Sequence, residues 1–75
     1  MYHSLEFHTE LTVDLEISPK HYLERLRIHK GTRLKAQLKP QVVETLDGPT
    51  EVADLFFEDG SVTRRVPYAV FRLAE

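Results

Sequence analysis

The stretch LEFHTELTVDLEI, residues 5–17, determines the fold class that we expect for this chain. Apolar residues such as Leu11 and Val13 occupy odd positions, and charged or polar residues occupy the even positions between them. An alternation of period two indicates β-structure with one buried face and one solvated face. The apolar series misses a member at Thr9, so we expect the run to bend or break near Thr9 and Glu10.

The next stretch, SPKHYLERLRIHKG at residues 18–31, is compatible with either a helix or a strand. In the helical interpretation Ser18 is the N-cap, Pro19 takes the first helical position and Gly31 terminates the helix. This alternative predicts an α+β fold in which one helix near residues 19–30 packs on an antiparallel sheet.

The strand interpretation places a turn at residues 18–20 and a strand over residues 23–29. A three-residue loop that ends at Gly31 then joins this strand to the next one, because such loops need a left-handed residue and glycine adopts that conformation without strain. In the resulting hairpin Leu26 faces Leu34, and the apolar residues of both strands share one face. We therefore favour the strand.

Turn signals recur about every dozen residues, and short strands at this spacing are typical of all-β barrels and sandwiches. The signals lie at Pro19, Gly31, Gly48 and Gly60. Pro40 is predicted to end a strand because it has no N–H to donate, and a turn is predicted at residues 47–49. We predict an all-β fold, either a small barrel or a strongly bent antiparallel sheet of five to six strands.

The pair Asp59-Gly60 is the strongest hairpin signal in the chain. A two-residue loop here predicts three cross-strand pairs: Phe57–Val62, Ala53–Val66 and Asp54–Arg65. The last is an opposite-charge contact, which stabilises an antiparallel pair. The same register places Arg64 on the apolar side opposite Leu55, and this is its one misfit.

The closing residues VPYAVFRL, 66–73, resemble the final turn and strand of SH3-like barrels, in which an apolar residue and a proline precede an apolar–aromatic strand. The resemblance covers about the last quarter of the chain and implies an SH3-like barrel, with no activity attached to it. Peptide-binding SH3 domains also carry an aromatic–acidic loop motif and a groove tryptophan. This chain has no tryptophan and no such motif, so binding of proline-rich peptides is not implied.

Composition predicts one small domain over residues 1–75, with 41% hydrophobic and 29% charged side chains. The absence of cysteine excludes disulfides, thiolate nucleophiles and cysteine zinc sites. The N-terminal residues lack the pattern of a signal peptide, and no apolar run approaches the about 20 residues that span a bilayer. We expect a cytoplasmic protein without membrane contact.

Charge is sorted along the chain. Residues 20–39 contain seven of the ten lysines and arginines, whereas residues 1–17 and 44–59 contain acids and no base. On the strand interpretation the basic side chains point away from the apolar face, and the hairpin opposes like charges, which is unfavourable. The candidate binding residues of this face are Arg25, Arg27, Arg33 and Lys35. Either the flanking acidic strands neutralise them, which we favour, or they bind a nucleic acid.

A second group of candidates lies near the closing corner: Phe56, Arg64, Arg65 and Tyr68. Arginine and tyrosine are enriched at the centres of protein interfaces, and Phe56 points away from the face that Leu55 and Phe57 share. For Tyr68 we favour packing over the end of the barrel.

No motif in the chain predicts catalysis. The four histidines have no ligand-like spacing, the three glycines form no phosphate loop, and no serine lies in a nucleophile motif. We therefore expect no enzyme activity, no cofactor and no metal.

The sequence predicts a non-enzymatic binding or adaptor module that acts through protein–protein contacts or self-association. The alternatives are a nucleic-acid-binding barrel that uses the basic residues 25–39, and an accessory subunit of a larger enzyme.

Overall fold

The structure is a computed structural model that describes residues 1–17 and 22–75, and the described residues contain strands and one 3-10 turn but no α-helix. The all-β prediction is confirmed, with seven strands in place of five to six. Strand β3 excludes the alternative helix from Tyr22 onward, while residues 18–21, where a turn was predicted, lie outside the described part of the chain. The strands are β1 (His3–Phe7), β2 (Leu11–Ile17), β3 (Tyr22–Ile28), β4 (Arg33–Thr45), β5 (Gly48–Phe57), β6 (Val62–Pro67) and β7 (Phe71–Leu73), and the 3-10 turn is Tyr68–Val70.

The strands form one antiparallel sheet in the order β3-β2-β6-β5-β4-β1-β7. Ile28 lies on one edge strand and Phe71 on the other, yet both belong to the same buried cluster. The sheet must therefore curl so that one face encloses a single core, which gives a half-barrel. The buried cluster consists of Leu5, Phe7, Ile28, Ala36, Ala53, Leu55, Val66 and Phe71.

The alternating stretch at the N-terminus breaks where its apolar series skips a member. β1 ends at Phe7 and β2 begins at Leu11, so the break predicted near Thr9 and Glu10 is confirmed. Leu5 and Phe7 are fully buried, because β1 lies between β4 and β7 and faces the centre of the core.

The prediction that β3 and β4 form a hairpin is wrong. β3 pairs with β2, whereas β4 pairs with β1 and β5. Gly31 has the predicted left-handed backbone, with φ of 89°. Its N–H donates to the carbonyl of Phe7, and the N–H of Phe7 donates to the carbonyl of Thr32, 2.9 Å away. These bonds direct the chain onto β1, and pairing with β2 gives Arg25 an acidic neighbour in Asp14 where the hairpin would have opposed it to a lysine.

β4 does not end at Pro40 as predicted but continues to Thr45. Its pairing with β1 covers only Arg33 to Ala36, so beyond Ala36 that side of β4 is a free edge within the described residues. A proline is tolerated at a free edge because its missing N–H interrupts no ladder there. The turn that follows consists of Leu46 and Asp47, one residue earlier than predicted.

The hairpin at Asp59-Gly60 forms, but its loop has three residues rather than two. The N–H of Phe57 donates to the carbonyl of Ser61, and the N–H of Gly60 donates back to Phe57. Gly60 takes the left-handed conformation that ends such a loop, with φ of 89°. The pairs next to the loop are therefore shifted by one residue, and the predicted Phe57–Val62 pair is replaced by Phe56–Val62.

A bulge further along restores the predicted register. Leu55 pairs with Thr63 and Ala53 pairs with Val66, so Asp54 lies opposite two residues of β6. The predicted Ala53–Val66 pair is confirmed, and the misfit of Arg64 opposite Leu55 disappears because Thr63 takes that place.

Candidate functional site

The bulge in β6 is formed by Arg64 and Arg65. Arg65 has φ of 56° and is the only non-glycine residue with positive φ among the described residues. An L-residue adopts this left-handed conformation at a cost of about 1–2 kcal/mol, so surrounding contacts must hold it. The contacts come from Asp54.

The Asp54 carboxylate holds the bulge in place. Asp54 is only 5% exposed, although it carries a charge. One oxygen accepts from the Arg65 backbone N–H at 3.0 Å and from the Gln41 amide at 2.8 Å, and the other accepts from the Arg64 guanidinium at 3.2 Å. The predicted opposite-charge pair of Asp54 with Arg65 is therefore wrong: Arg65 contacts the carboxylate through its backbone N–H, and the charge partner is Arg64.

Arg64 joins three strands. Its guanidinium contacts Asp54 on β5 and also lies 2.6 Å from the Glu16 carboxylate on β2. The hydrogen bond and negative charge of Glu16 raise the pKa of Arg64 above its usual value, and the guanidinium is therefore a permanent cation. The bulge is therefore fastened on both sides, to β5 and to β2.

A cleft opens beside the bulge, between β2 and β6. These two strands pair only at Leu15–Thr63 and Glu16–Val62, and the described residues contain no further pair between them. The cleft has a volume of about 560 Å³, and its lining includes partly exposed apolar side chains as well as the charged groups of the bulge. Its apolar lining consists of Leu11, Val13, Leu23, Val66 and Pro67.

Thr63 closes the narrow end of the cleft. It is 1% exposed, and its hydroxyl donates to the backbone carbonyl of Asp14 at 2.9 Å. This side-chain bond adds to the two residue pairs that join β2 to β6. β2 and β6 are therefore attached at Thr63 and separate beyond it.

The predicted basic face is not a separate surface. Arg25 lies 3.6 Å from Asp14, and Arg27 bonds to Glu10. On β4, Arg33 lies 3.1 Å from Glu6, which also binds Arg72 at 3.0 Å. The acidic strands therefore neutralise these arginines, as we favoured. Lys35 lies on β4 opposite Ser4, and β3 and β4 are not neighbours in the sheet.

The two aromatic candidates are both half-buried. Phe56 lies on the face opposite to Leu55, in register with Gln37 on one side and Val62 on the other. Tyr68 lies in the 3-10 turn and packs against the core, with its ring 5.3 Å from that of Phe71. The expected packing of Tyr68 is confirmed.

The structure thus brings Arg64 and Arg65 together at one cleft and leaves the other candidates elsewhere. The lining residues Leu11, Val13 and Pro67 were not predicted as site residues. The one sequence signal near them was the misfit of Arg64, because a bulge removes such a misfit and also bends its strand.

Within residues 1–17 and 22–75, no three histidine, aspartate or glutamate side chains lie close enough together to hold a metal ion. His3 contacts the carboxylate of Glu75 at 2.8 Å. The described residues include no helix with the length and hydropathy needed to cross a bilayer. Comparison of the chain with protein-family models, curated proteins and solved structures finds no match.

Proposed function

We propose that this chain is a non-enzymatic protein-interaction module that binds an extended segment of a partner in the cleft between β2 and β6. The observation that carries the proposal is the separation of these two strands after two paired residues, which leaves a cleft of about 560 Å³. Binding pockets typically enclose about 300–1,000 Å³ and combine apolar walls with a few convergent polar groups.

The lining fits a peptide better than a small polar metabolite. Leu11, Val13 and Leu23 provide apolar contacts, while the diverging strands present backbone groups that lack a β2–β6 partner. An extended segment satisfies such groups through its own main chain, as in strand addition to a sheet. Arg65 and Asp14 at the rim supply charges of both signs for orientation.

The chemistry of the buried carboxylate supports a binding role over catalysis. Asp54 is the one acid among the described residues that is buried, and its oxygens accept three N–H bonds. A general base needs a free lone pair directed at a substrate, and this carboxylate instead holds the bulge.

The nucleic-acid alternative has less support because Arg25, Arg27 and Arg33 each contact a carboxylate. The resemblance of the closing residues to SH3-like barrels stays a prediction about the fold. An accessory subunit of a larger enzyme would use the same kind of surface as an adaptor.

The test is selection from a random peptide library on three proteins. Thr12→Tyr places a bulky side chain in the cleft wall at an exposed position, and Val42→Tyr makes the same kind of change at an exposed position on β4. We expect selected peptides to bind wild type and Val42→Tyr equally and Thr12→Tyr about tenfold more weakly. Peptides that bind Thr12→Tyr as tightly as wild type would refute the proposal. The nucleic-acid alternative is tested by the gel mobility of a labelled DNA single strand at low salt, and we expect the protein to cause no shift in that mobility.

A further inference from the structure

A second surface lies at the edge of the sheet, on the side of β3 that faces away from β2. β3 has seven residues and pairs continuously with β2 along its whole length. Its other side has no strand neighbour among the described strands. A long, regular strand with one unpaired side is the kind of edge to which another chain adds a strand.

Apart from the cleft between β2 and β6, the other free edges are protected. β7 has only three residues, which is too short to hold a partner strand. The free part of β4 contains Pro40, which cannot donate to a new ladder. β3 contains no proline, and no register shift interrupts its pairing with β2.

The charges of β3 oppose self-association through this edge. When two copies of β3 pair across a two-fold axis, odd-numbered residues lie opposite odd-numbered residues and even-numbered residues opposite even-numbered ones. This holds because residues on one face of β3 must lie on the same face of the combined sheet in both copies. The registers that pair most of the strand then oppose Arg25 to itself, Arg25 to Arg27, or Glu24 to itself. Each of these is a like-charge pair, which destabilises an antiparallel ladder.

The same charges suit an acidic partner. The Arg25 and Arg27 side chains are 82% and 68% exposed, although each already contacts an acid on the β2 side. The side chains of a strand added to the free side of β3 would contact Arg25 and Arg27 from the side opposite to β2. On the opposite face Leu26 is half-buried, and Ile28 is buried in the core.

We propose that β3 accepts an extended acidic segment of another protein as an eighth strand, with carboxylates opposite Arg25 and Arg27 and an apolar residue between them opposite Leu26. β2 already shows this chemistry, since it places Asp14 opposite Arg25 and Val13 opposite Leu26. The partner strand contacts the free side of β3 with the same pattern of acidic and apolar residues that β2 presents on the paired side. Each arginine of β3 then lies between an acid on the β2 side and an acid of the partner.

The experiment is an NMR titration of the whole chain with a capped peptide of sequence LEVDLE, which is the β2 sequence of residues 11–16 with glutamate in place of Thr12. The control peptide, LKVKLK, has the same apolar residues and the opposite charge. We expect the acidic peptide to shift the β3 amide signals and to protect alternate β3 amides from solvent exchange, while the β2–β3 hydrogen bonds persist. We expect no binding of the basic peptide.

Two double variants separate strand addition from general attraction of charge. R25Q/R27Q removes the two cations of the edge, and R33Q/R72Q removes two cations that share Glu6 elsewhere on the sheet. Loss of two opposite-charge cross-strand pairs corresponds to a decrease in affinity of about 2- to 30-fold. We expect this decrease in R25Q/R27Q only.

Three results would overturn the proposal. One is the absence of shifts in the β3 amide signals at peptide concentrations up to about 1 mM, because an affinity weaker than this is too low for specific recognition. Another is an equal decrease in both double variants, which would indicate nonspecific electrostatics. The third is stronger binding of duplex DNA than of the acidic peptide at the same residues, with the steep salt dependence of a phosphate contact. None of these results bears on the cleft, whose test uses Thr12.

Discussion

Replacing Asp54 by alanine tests whether this carboxylate holds the bulge. The change removes the two oxygens that accept three hydrogen bonds and leaves the Arg65 N–H and the Gln41 amide without their partner. Each lost bond costs about 0.5–1.5 kcal/mol, and more where a donor stays buried and unpaired. Arg64 is half-exposed and keeps its bond to Glu16, so its share is small. We expect a loss of about 2–4 kcal/mol in the free energy of unfolding.

That loss is a large part of the total stability, which for a chain of this length is about 4–11 kcal/mol. Urea unfolding followed by far-UV circular dichroism measures it, and with a slope of about 1 kcal/mol per molar urea the midpoint falls by about 2 M or more. Asp54→Asn keeps an oxygen for Arg65 and Gln41 but replaces the oxygen that accepts from Arg64 by an NH2 group, and we expect a smaller loss of about 1 kcal/mol. Glu51→Ala, at an exposed site on the same strand, is the control. If Asp54→Ala costs no more than Glu51→Ala, the carboxylate does not hold the bulge.

Three further substitutions test neighbouring features. Two hydrogen bonds from Ser61 lower the pKa of the Asp59 carboxyl below 3.8, so this group stabilises the fold above its ordinary pKa and loses that effect as the pH falls through the lowered value. Ser61→Ala should raise the Asp59 pKa in a carboxyl NMR titration and flatten the acid limb of the stability curve, and an unchanged titration would contradict this. Thr63→Val removes the donor to the Asp14 carbonyl, so we expect a loss of about 1 kcal/mol and faster amide exchange in β2, and unchanged exchange would mean that another contact joins the strands. Because Arg65 has positive φ, Arg65→Gly should be more stable than Arg65→Val by about 1–2 kcal/mol in thermal unfolding, and equal stabilities would argue against the left-handed bulge.

The fold class could be predicted because strand patterns are local. The alternation at residues 5–17 and the Asp59-Gly60 signal each depend on a few neighbouring residues, and both were interpreted correctly as strand and turn. The loop length at Gly60 could not be derived, because two- and three-residue loops share the same Asp-Gly signal. The bulge that compensates for this shift depends on Asp54, whose partners Gln41 and Arg64 lie on two other strands.

The pairing of β3 could not be derived from its turn residues. The loop at Gly31 has the backbone of a hairpin, yet hydrogen bonds to Phe7 take the chain to a different strand. Such a choice depends on contacts between residues that are far apart in sequence. The charges did contain a hint, since the predicted hairpin would have opposed Arg27 to Arg33 and the observed pairing brings Asp14 beside Arg25. The cleft escaped prediction for the same reason, because it exists only where β2 meets β6.

The pairing of β1 with β7 brings the two ends of the chain together. Leu5 pairs with Leu73, and the N–H of Ala74 donates to the carbonyl of Ser4 at 2.9 Å. A short linker could therefore join residues 1 and 75, and the chain could be reopened at Leu46 in the exposed turn between β4 and β5. In that circular permutant β7 and β1 become a local hairpin, whereas the ten β4–β5 pairs join the two new ends and become the least local contacts of the sheet, so we expect slower folding. The strand order of the sheet would be the same in the permutant, although its chain begins and ends between different strands.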